Sequence, residues 1–388
     1  MTSPAQRTIL VVGGSGYFGR LLVEDSLEHT RHHVILTGRS MASAEAARAT
    51  LIRCMGAAPA RIETAACTLE HEATVAALVR QCDVAVCAAG PYQRLGLTLL
   101  DACLEQHRPY IDLSDDRDFV RRLRARLNSL GETQSLPPIC TAWSAVSALS
   151  CALARVVSHQ WRQVDRLRIF LAPGNRQPRN RGTVESLLHS LGRTFTVPCD
   201  GGEIEVTGWS RPRDFEFPPP IGTRRCYLVD AADHDFAVEW LGAKSVEFRV
   251  GAELRLLNQG AAAMARLRAR RLLPDPVRLA GICGALMRLF GRMGSEAGAL
   301  GVEVRGVDAT GKPRRWRASV VADRRAPMMA VMPATIMIER WLSADSASLP
   351  SGLLRHDDWI DRPCLEAECA RRGLRLHVEE AAPEGSAP

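Results

Sequence analysis

Apolar residues along the first 160 positions alternate between short continuous runs and helical spacings. Runs such as ILVV (9–12) and VILT (34–37) are bounded by glycine or polar residues, as buried strands are. Each run is followed by a segment with apolar residues every three or four positions, such as YFGRLLVEDSLEH (17–29). This repeated order predicts an α/β fold, with a doubly wound parallel sheet and helices on both faces.

The pattern changes after about residue 160. Strand-like segments such as DRLRIFLAP (165–173) and RWRASVVAD (315–323) are now separated by residues that favour turns. Helical spacing occurs at 182–192, at about 255–293 and through the last 60 residues. We therefore predict a doubly wound domain over residues 1–150. A second, α+β domain with a mostly antiparallel sheet should follow over residues 151–325, and a helical segment over residues 326–388.

The charge of the chain changes this picture little. It has 388 residues and a net charge of +7, but Lys244 and Lys312 are its only lysines, so nearly all positive charge comes from arginine. The arginines are dispersed, and no basic stripe carries interleaved aromatic residues. We therefore predict that the protein does not bind nucleic acid.

Cysteine usage and hydropathy bear on location. The twelve cysteines form no CxxC pair and lack zinc-site spacing, so we predict free thiols, no metal site and a cytoplasmic protein. No run of 18 apolar residues is present, so no membrane span is predicted. The segment 264–293 combines arginines with apolar residues. It is consistent either with a weak membrane contact or with a buried or oligomer-facing helix.

The first strand runs directly into a glycine-rich turn, ILVVGGSGYFGRLL (9–22), which contains a complete GxGxxG motif. Its position between a strand and a helix is typical of dinucleotide-binding domains. Gly14 is expected to allow the tight turn, Gly16 to let a pyrophosphate approach the backbone, and Gly19 to let the helix pack on the sheet. The predicted cofactor-binding residues of this loop are Gly13, Gly14, Ser15, Gly16, Tyr17, Phe18 and Gly19.

The end of the second strand bears on which nucleotide is bound. Sites for NAD usually place Asp or Glu here to hold the ribose 2′-hydroxyl. This strand instead ends in ILTGRS, where Thr37, Arg39 and Ser40 occupy that place. Because Arg39 can pair with a 2′-phosphate, we predict NADP (NADPH) as the cofactor in preference to NAD.

Small residues end the fourth strand, in CAAGPYQRLG. Ala88, Ala89 and Gly90 would let the cofactor lie against the backbone, and Pro91 would redirect the chain. Tyr92 is then expected near the nicotinamide, although a purely capping aromatic remains an alternative.

Further candidates follow the fifth and sixth strands. YIDLSDD places Asp112 at the rim of the predicted sheet, either in the active site or as a cap of the next helix. After the sixth strand, Trp143 and Ser144 stand in CTAWSAVS, where Trp143 would cover a substrate or belong to the core. The predicted catalytic residues are thus Tyr92, Asp112, Trp143 and Ser144.

These motifs together resemble the saccharopine dehydrogenase-like oxidoreductases. The resemblance rests on GGSGYFGRLL, LTGRS, CAAGPYQRLGLTLLDACLEQHRPYIDLSDD and CTAWSAVSALSCALA. It implies a two-domain NAD(P)-dependent enzyme that is often a homodimer, whose C-terminal segment packs back on the nucleotide-binding domain. It also implies that the second domain serves substrate binding and dimerisation, without identifying the substrate.

One departure from the family pattern concerns the chemistry. Relatives that form saccharopine often carry an acidic residue after the sixth strand, where this chain has Ala142, Trp143 and Ser144. We therefore expect an NADPH-dependent reductase acting on a carbonyl, imine or enone of another small molecule, with Tyr92 or Ser144 polarising the reacting group. The alternative is a protein that binds nucleotide without turnover, as a partner or a membrane-associated scaffold.

Overall fold

A computed structural model describes residues 6–56, 59–131, 135–177, 188–273, 276, 281, 283–285, 290–291, 293–344 and 349–381. The chain forms two compact units, and each is described by itself. The first combines Met1–Val146 with Ala330–Leu354, and the second combines Ser147–Met329 with Arg355–Pro388.

Strands and helices alternate in the first unit, as the hydrophobic pattern predicted. Its strands are β1 (Thr8–Val12), β2 (His33–Gly38), β3 (Ile62–Ala66), β4 (Val84–Cys87), β5 (Tyr110–Asp112), β6 (Pro138–Cys140) and β15 (Gly352–Leu353). Its helices are α1 (Tyr17–His29), α2 (Met41–Met55), α3 (Glu72–Arg80), α4 (Thr98–Glu105) and α5 (Arg117–Asn128), together with most of α9 (Met328–Ser343).

The strands of this unit form one seven-stranded parallel sheet in the order β15-β6-β5-β4-β1-β2-β3. This confirms the predicted doubly wound fold. The chain order reverses at β1, which lies between β2 and β4. Ligands of such sheets bind in the crevice at this reversal, beyond the carboxyl ends of the strands.

The second unit contains most of the remaining elements. Its helices are α6 (Ala148–Ser158), α7 (Asp233–Leu241), α8 (Arg255–Ala269) and α10 (Arg362–Arg371). Its strands are β7 (Gln163–Ala172), β8 (Thr194–Cys199), β9 (Gly202–Thr207), β10 (Arg213–Phe217), β11 (Gly222–Leu228), β12 (Ser245–Val250), β13 (Gly298–Val307), β14 (Pro313–Ala322) and β16 (Leu374–Glu380).

Seven of these strands form a mixed sheet in the order β10-β11-β12-β7-β13-β14-β16. Only the β12–β7 pair is parallel among its neighbours, so the predicted mostly antiparallel sheet is confirmed. The strands β8 and β9 form a separate antiparallel hairpin.

A row of charged side chains crosses this mixed sheet. Glu247, Arg168, Glu303 and Arg317 lie opposite one another on β12, β7, β13 and β14. Arg168 donates to Glu303 at 2.9 Å, and each side chain is only 4% exposed. Arg315 Nη2 also lies 2.6 Å from Glu303. Burial alone would raise the pKa of Glu303, but Arg315 and Arg168 outweigh it and hold the pKa below its usual value.

The last part of the chain differs from the predicted helical segment 326–388. It contains α9 and α10 but also the strands β15 and β16, and residues 355–381 belong to the second unit. The reason lies in Leu374–Glu380, LRLHVEE, where large apolar and polar residues alternate as in a half-buried edge strand. This strand pairs with β14 along seven residues.

Some predicted segments are only partly described. In the predicted helix at 182–192, residues 182–187 lie outside the described residues. Within 264–293, the described residues are 264–273 and a few scattered positions. None of the described helices is long and apolar enough to span a bilayer.

Candidate functional site

The glycine-rich turn after β1 is built by close backbone contacts. Gly13 has φ +81°, and a Cβ there would lie 2.7 Å from the backbone of Ala89. A Cβ on Gly19 would lie 2.2 Å from the carbonyl oxygen of Gly13. The tight turn therefore falls at Gly13 rather than at Gly14, and Gly19 packs against the turn rather than the sheet.

Gly14 has a different role from the one expected. A Cβ there would lie 2.9 Å from the Leu36 side chain and 3.1 Å from the Val11 carbonyl oxygen. Gly14 therefore allows the turn to pack against β2, and the missing side chain matters for packing rather than for backbone conformation.

Gly16 is the exposed glycine of this turn and the N-cap residue of α1. No side chain caps this 13-residue helix. A Cβ on Gly16 would meet only the Gly13 carbonyl oxygen, at 3.1 Å, and otherwise point into open space. The open N-terminus of α1 thus fits a pyrophosphate group, because helix N-termini present N–H donors and a partial positive charge. Ser15, Tyr17 and Phe18 are partly exposed around it.

The three residues predicted at the end of β2 do not share one role. Thr37 is buried, and its Oγ1 accepts a hydrogen bond from Gly13 N at 3.1 Å, while its carbonyl oxygen accepts from Ser15 N at 2.9 Å. Thr37 therefore holds the glycine turn. Arg39 is exposed immediately after the strand, and Ser40 caps α2 by accepting from Ser43 N.

Two neighbouring residues were not singled out from the sequence. Ser43 donates to the Ser40 carbonyl oxygen at 2.8 Å and completes a reciprocal cap with Ser40. A Cβ on Gly38 would lie 2.3 Å from Ser43 Oγ and 3.1 Å from Ser15 Oγ, so Gly38 allows both serines to lie close to the end of β2. The S-x-x-S spacing before a helix was the available signal.

The end of β4 lies against the glycine turn. Ala88 N donates to the Val12 carbonyl oxygen at 2.8 Å, and Ala89 supplies the backbone that approaches Gly13. Gly90 is exposed, and nothing lies within 4 Å of a Cβ placed there. It is followed by Pro91 through a cis peptide bond. The predicted small residues thus join β1 and β4 at the point where the chain order reverses.

Tyr92 is buried, with 7% of its surface exposed. Its hydroxyl donates to the Cys87 carbonyl oxygen at 2.6 Å and accepts from Leu113 N at 3.1 Å. Burial raises the pKa of Tyr92 well above its usual value. These contacts correspond to an anchoring role, in which Tyr92 ties the end of β4 to the segment after β5.

Asp112 is fully buried at the end of β5. Its Oδ1 accepts from Ser114 N at 2.9 Å and from Ala142 N at 2.8 Å. Burial raises its pKa to about 6, although these N–H groups and the hydroxyls of Thr141 and Tyr110 oppose the shift. Asp112 therefore holds together the segments that follow β5 and β6.

The cap of α5 is a different carboxylate from the one considered in the sequence. Asp116 is the N-cap residue, and its Oδ1 accepts from Phe119 N at 2.7 Å. The hydrogen bonds of Asp112 therefore do not support its alternative role as a helix cap.

Trp143 and Ser144 lie in the segment that is hydrogen-bonded to Asp112. Trp143 is fully buried, and its backbone N donates to the Asp112 carbonyl oxygen at 2.7 Å. Ser144 is 5% exposed, and its hydroxyl donates to the Val146 carbonyl oxygen at 3.3 Å. The preceding residue, Ala142, has φ +51°. Both side chains are thus enclosed, as the core alternative for Trp143 requires.

Asp25, Glu28 and His29 form one cluster of possible metal ligands, within 4.8 Å of one another on α1. His29 Nδ1 lies 3.1 Å from Asp25 Oδ1 and 2.9 Å from the Asp25 carbonyl oxygen. These distances describe a pairing within one helix, four residues apart, and we assign no metal to it.

Comparison with known families identifies the first unit. Residues 9–134 match the family described as the saccharopine dehydrogenase NADP binding domain. The matched range contains β1 to α5 and therefore the glycine turn, Arg39 and Asp112. No curated protein sequence matches the chain.

Solved structures extend the comparison to the whole fold. The apo saccharopine dehydrogenase (L-Glu forming) from Saccharomyces cerevisiae has a TM-score of 0.63 at 12% identity, covering 97% of this chain and 100% of that chain. GenD2 from gentamicin A biosynthesis, in complex with NAD, has a TM-score of 0.36 at 12% identity, covering 81% of this chain and 73% of that chain. The latter similarity is too low to support an argument. Residues 9–134 are thus similar to the saccharopine dehydrogenase NADP binding domain, and the chain shares the fold of a saccharopine dehydrogenase.

Proposed function

We propose that the protein is an NADPH-dependent reductase of a carbonyl, imine or enone group in a small molecule. The observation that carries this proposal is the combination of an uncapped α1 N-terminus at Gly16 with Arg39, which follows β2 where an NAD site usually has a carboxylate. NADPH would supply the hydride.

The residues of the first unit would hold the cofactor through separate groups. The N–H groups at the start of α1 would bind the pyrophosphate, close to the exposed Gly16. Arg39 would pair with the 2′-phosphate, assisted by the hydroxyl-rich start of α2 at Ser40 and Ser43. Ala88, Ala89 and Gly90 would leave the backbone at the end of β4 open to the remainder of the cofactor.

Polar groups at the ends of β5 and β6 would shape the reacting end of the site. Asp112 positions the segment that carries Trp143 and Ser144 through Ala142 N. Ser144 is the predicted residue with a hydroxyl bonded only at 3.3 Å, so it is the better candidate for polarising a substrate oxygen or nitrogen. Tyr92 would act indirectly, by holding the backbone in place, because both of its hydrogen bonds go to backbone groups.

The cofactor proposal is tested by titrating the protein with NADPH and, separately, with NADH. We expect Arg39→Ala to weaken NADPH binding about tenfold, or about 1.4 kcal/mol, while NADH binding stays unchanged. Arg53→Ala, at an exposed arginine near the C-terminal end of α2, is the matched control and should bind NADPH normally. Equal NADPH affinity in Arg39→Ala and the control would contradict the proposal.

Binding of NADPH without turnover is a second candidate function. It is favoured by the hydrogen bonds of Tyr92 and Asp112, since the Tyr92 hydroxyl and Asp112 Oδ1 are already bonded to backbone N–H or carbonyl groups. A screen of aldehydes, ketones, imines and enones, following loss of the reduced nicotinamide absorbance, separates the two. Turnover that Ser144→Ala reduces at least tenfold supports the reductase. Tight NADPH binding without turnover across the screen supports the second candidate.

A further inference from the structure

Helix α8 has an unusual outer face. Leu256, Gly260, Ala263 and Leu267 recur at intervals of three or four residues and are all exposed. The side of α8 that faces its own unit carries the buried residues Asn258, Ala261, Ala262 and Ala265. Leu256 and Leu267 are therefore turned outward, whereas Leu257 is partly buried and Met264 packs against the core of the unit.

The exposure of these leucines is high. Leu256 is 64% exposed, Leu267 is 42% exposed, and Leu272, just after the helix, is 69% exposed. Leu256 and Leu267 are eleven positions apart, which spans about 16 Å at 1.5 Å per residue. Large apolar side chains exposed on one face of a helix often mark an interaction site.

Within residues 254–273 the charges are of one sign. From Leu254 to Leu273 the sequence contains five arginines and no Asp or Glu. Arg268 donates to the carbonyl oxygens of His189 and Leu191 and so serves the fold. The other four are exposed: Arg255, Arg266, Arg270 and Arg271.

The positive charge distinguishes between two binding partners for this face, a second copy of the helix and an anionic lipid surface. A second copy of the helix would bring five arginines against five more without a carboxylate in either segment, and the like charges would oppose docking. An anionic lipid surface offers negative charge to the arginines and an apolar interior to the leucines. We propose that the face formed by residues 255–273, the α8 face, binds the surface of an anionic membrane.

The mode of binding follows from the dimensions of the helix. With 15 residues and with arginines at both of its ends, α8 would lie in the plane of the interface rather than cross it. Leu256, Leu267 and Leu272 would enter the acyl boundary, and the exposed arginines would contact the lipid headgroups. This proposal goes beyond the reductase function and does not depend on it.

The test is flotation of the full-length protein with vesicles of phosphatidylcholine that contain about 30% phosphatidylglycerol, compared with phosphatidylcholine alone. We expect the anionic vesicles to bind the protein at least tenfold more tightly, and binding to weaken when salt rises from about 0.1 M to about 0.5 M. The triple variant Leu256→Gln/Leu267→Gln/Leu272→Gln should lose at least tenfold in affinity. The triple variant Arg266→Gln/Arg270→Gln/Arg271→Gln should lose most of the preference for anionic lipid.

The control variant is Ile204→Gln/Val238→Gln, which removes exposed apolar side chains elsewhere in the second unit and should leave vesicle binding unchanged. Circular dichroism of each variant establishes that it is folded, and any misfolded triple is replaced by its single substitutions. Absence of wild-type flotation, or equal flotation of the leucine triple and the control, overturns the proposal. So does a dimer, measured by light scattering, that the leucine triple converts to monomer without any change in flotation.

Discussion

Gly16 and Gly19 belong to the same motif but meet different surroundings, and this difference is testable. A Cβ on Gly19 would lie 2.2 Å from a backbone oxygen, whereas at Gly16 the nearest atom is 3.1 Å away. We expect Gly19→Ala to lower the free energy of unfolding by about 2 kcal/mol or more through overpacking. Gly16→Ala should cost less than about 1 kcal/mol but weaken NADPH binding at least tenfold.

Thermal melting and NADPH titration of the two glycine variants provide the measurement. Gly90→Ala serves as the control for stability, because nothing lies within 4 Å of its Cβ position. Equal melting temperatures for Gly16→Ala and Gly19→Ala would contradict the assigned roles.

The buried carboxyl of Asp112 should make stability depend on pH. Its pKa is raised from 3.8 to about 6 in the folded protein, so the folded state retains the proton that the unfolded state releases. The free energy of unfolding should therefore fall as pH rises through this window, by about 3 kcal/mol in all. Asp112→Asn keeps an oxygen acceptor for Ser114 N and Ala142 N but cannot ionise, so this loss should disappear.

Urea unfolding of wild type and Asp112→Asn between about pH 4 and pH 7 measures this effect. The two proteins should converge at the acid end, and the variant should be the more stable at neutral pH. Parallel pH dependences would show that Asp112 does not carry the shift.

Among the elements, the charged row across β12, β7, β13 and β14 should contribute more to stability at its buried residues than at its exposed ones. Glu303→Gln removes the buried carboxylate shared by Arg168, Arg315 and Arg317, and it leaves the buried Arg168 only Glu247, at 3.4 Å, so we expect a loss of about 3 kcal/mol. Glu379 lies on the same row, 3.9 Å from Arg317, but it is 66% exposed. Glu379→Gln should therefore change stability by less than about 0.5 kcal/mol. Denaturant midpoints compare the two variants, and a Glu303→Gln midpoint as high as that of Glu379→Gln would count against this account.

Elements with strong periodicity were predictable, and elements defined by their partners were not. The parallel strands around ILVV and VILT are continuous apolar runs, and the glycine turn has a fixed spacing, so the sheet and the position of the glycine turn followed from the sequence. The two-residue strand β15 gains its hydrogen bonds from the distant strand β6, which a local pattern does not contain. The anchoring roles of Tyr92 and Asp112 were not predictable for the same reason. Their residue types are compatible with catalysis, and their hydrogen bonds to Cys87, Leu113 and Ala142 form only on folding.

For the molecule as a whole, the first unit is discontinuous in sequence. Its sheet ends in β15, which pairs with β6 through Gly352 and Leu353, and Ser351 Oγ donates to the Leu136 carbonyl oxygen at 2.8 Å. A fragment of residues 1–146 alone lacks both this strand and α9. We expect it to melt at least about 5 °C lower than a fragment in which residues 330–354 are joined to it by a flexible linker. Circular dichroism melts compare the two fragments, and equal melting temperatures would mean that β15 and α9 are dispensable.

The same discontinuity affects the order in which the protein can fold during synthesis. The edge of β6 leaves the ribosome long before Gly352, and translation of the intervening chain takes roughly 10–40 s. Throughout that interval the nascent parallel sheet presents an unpaired strand, which is a template for pairing with other chains. Cells that make this protein therefore face an aggregation hazard that is set by translation rate, and chaperone binding to stalled nascent chains should peak before residue 352 is reached.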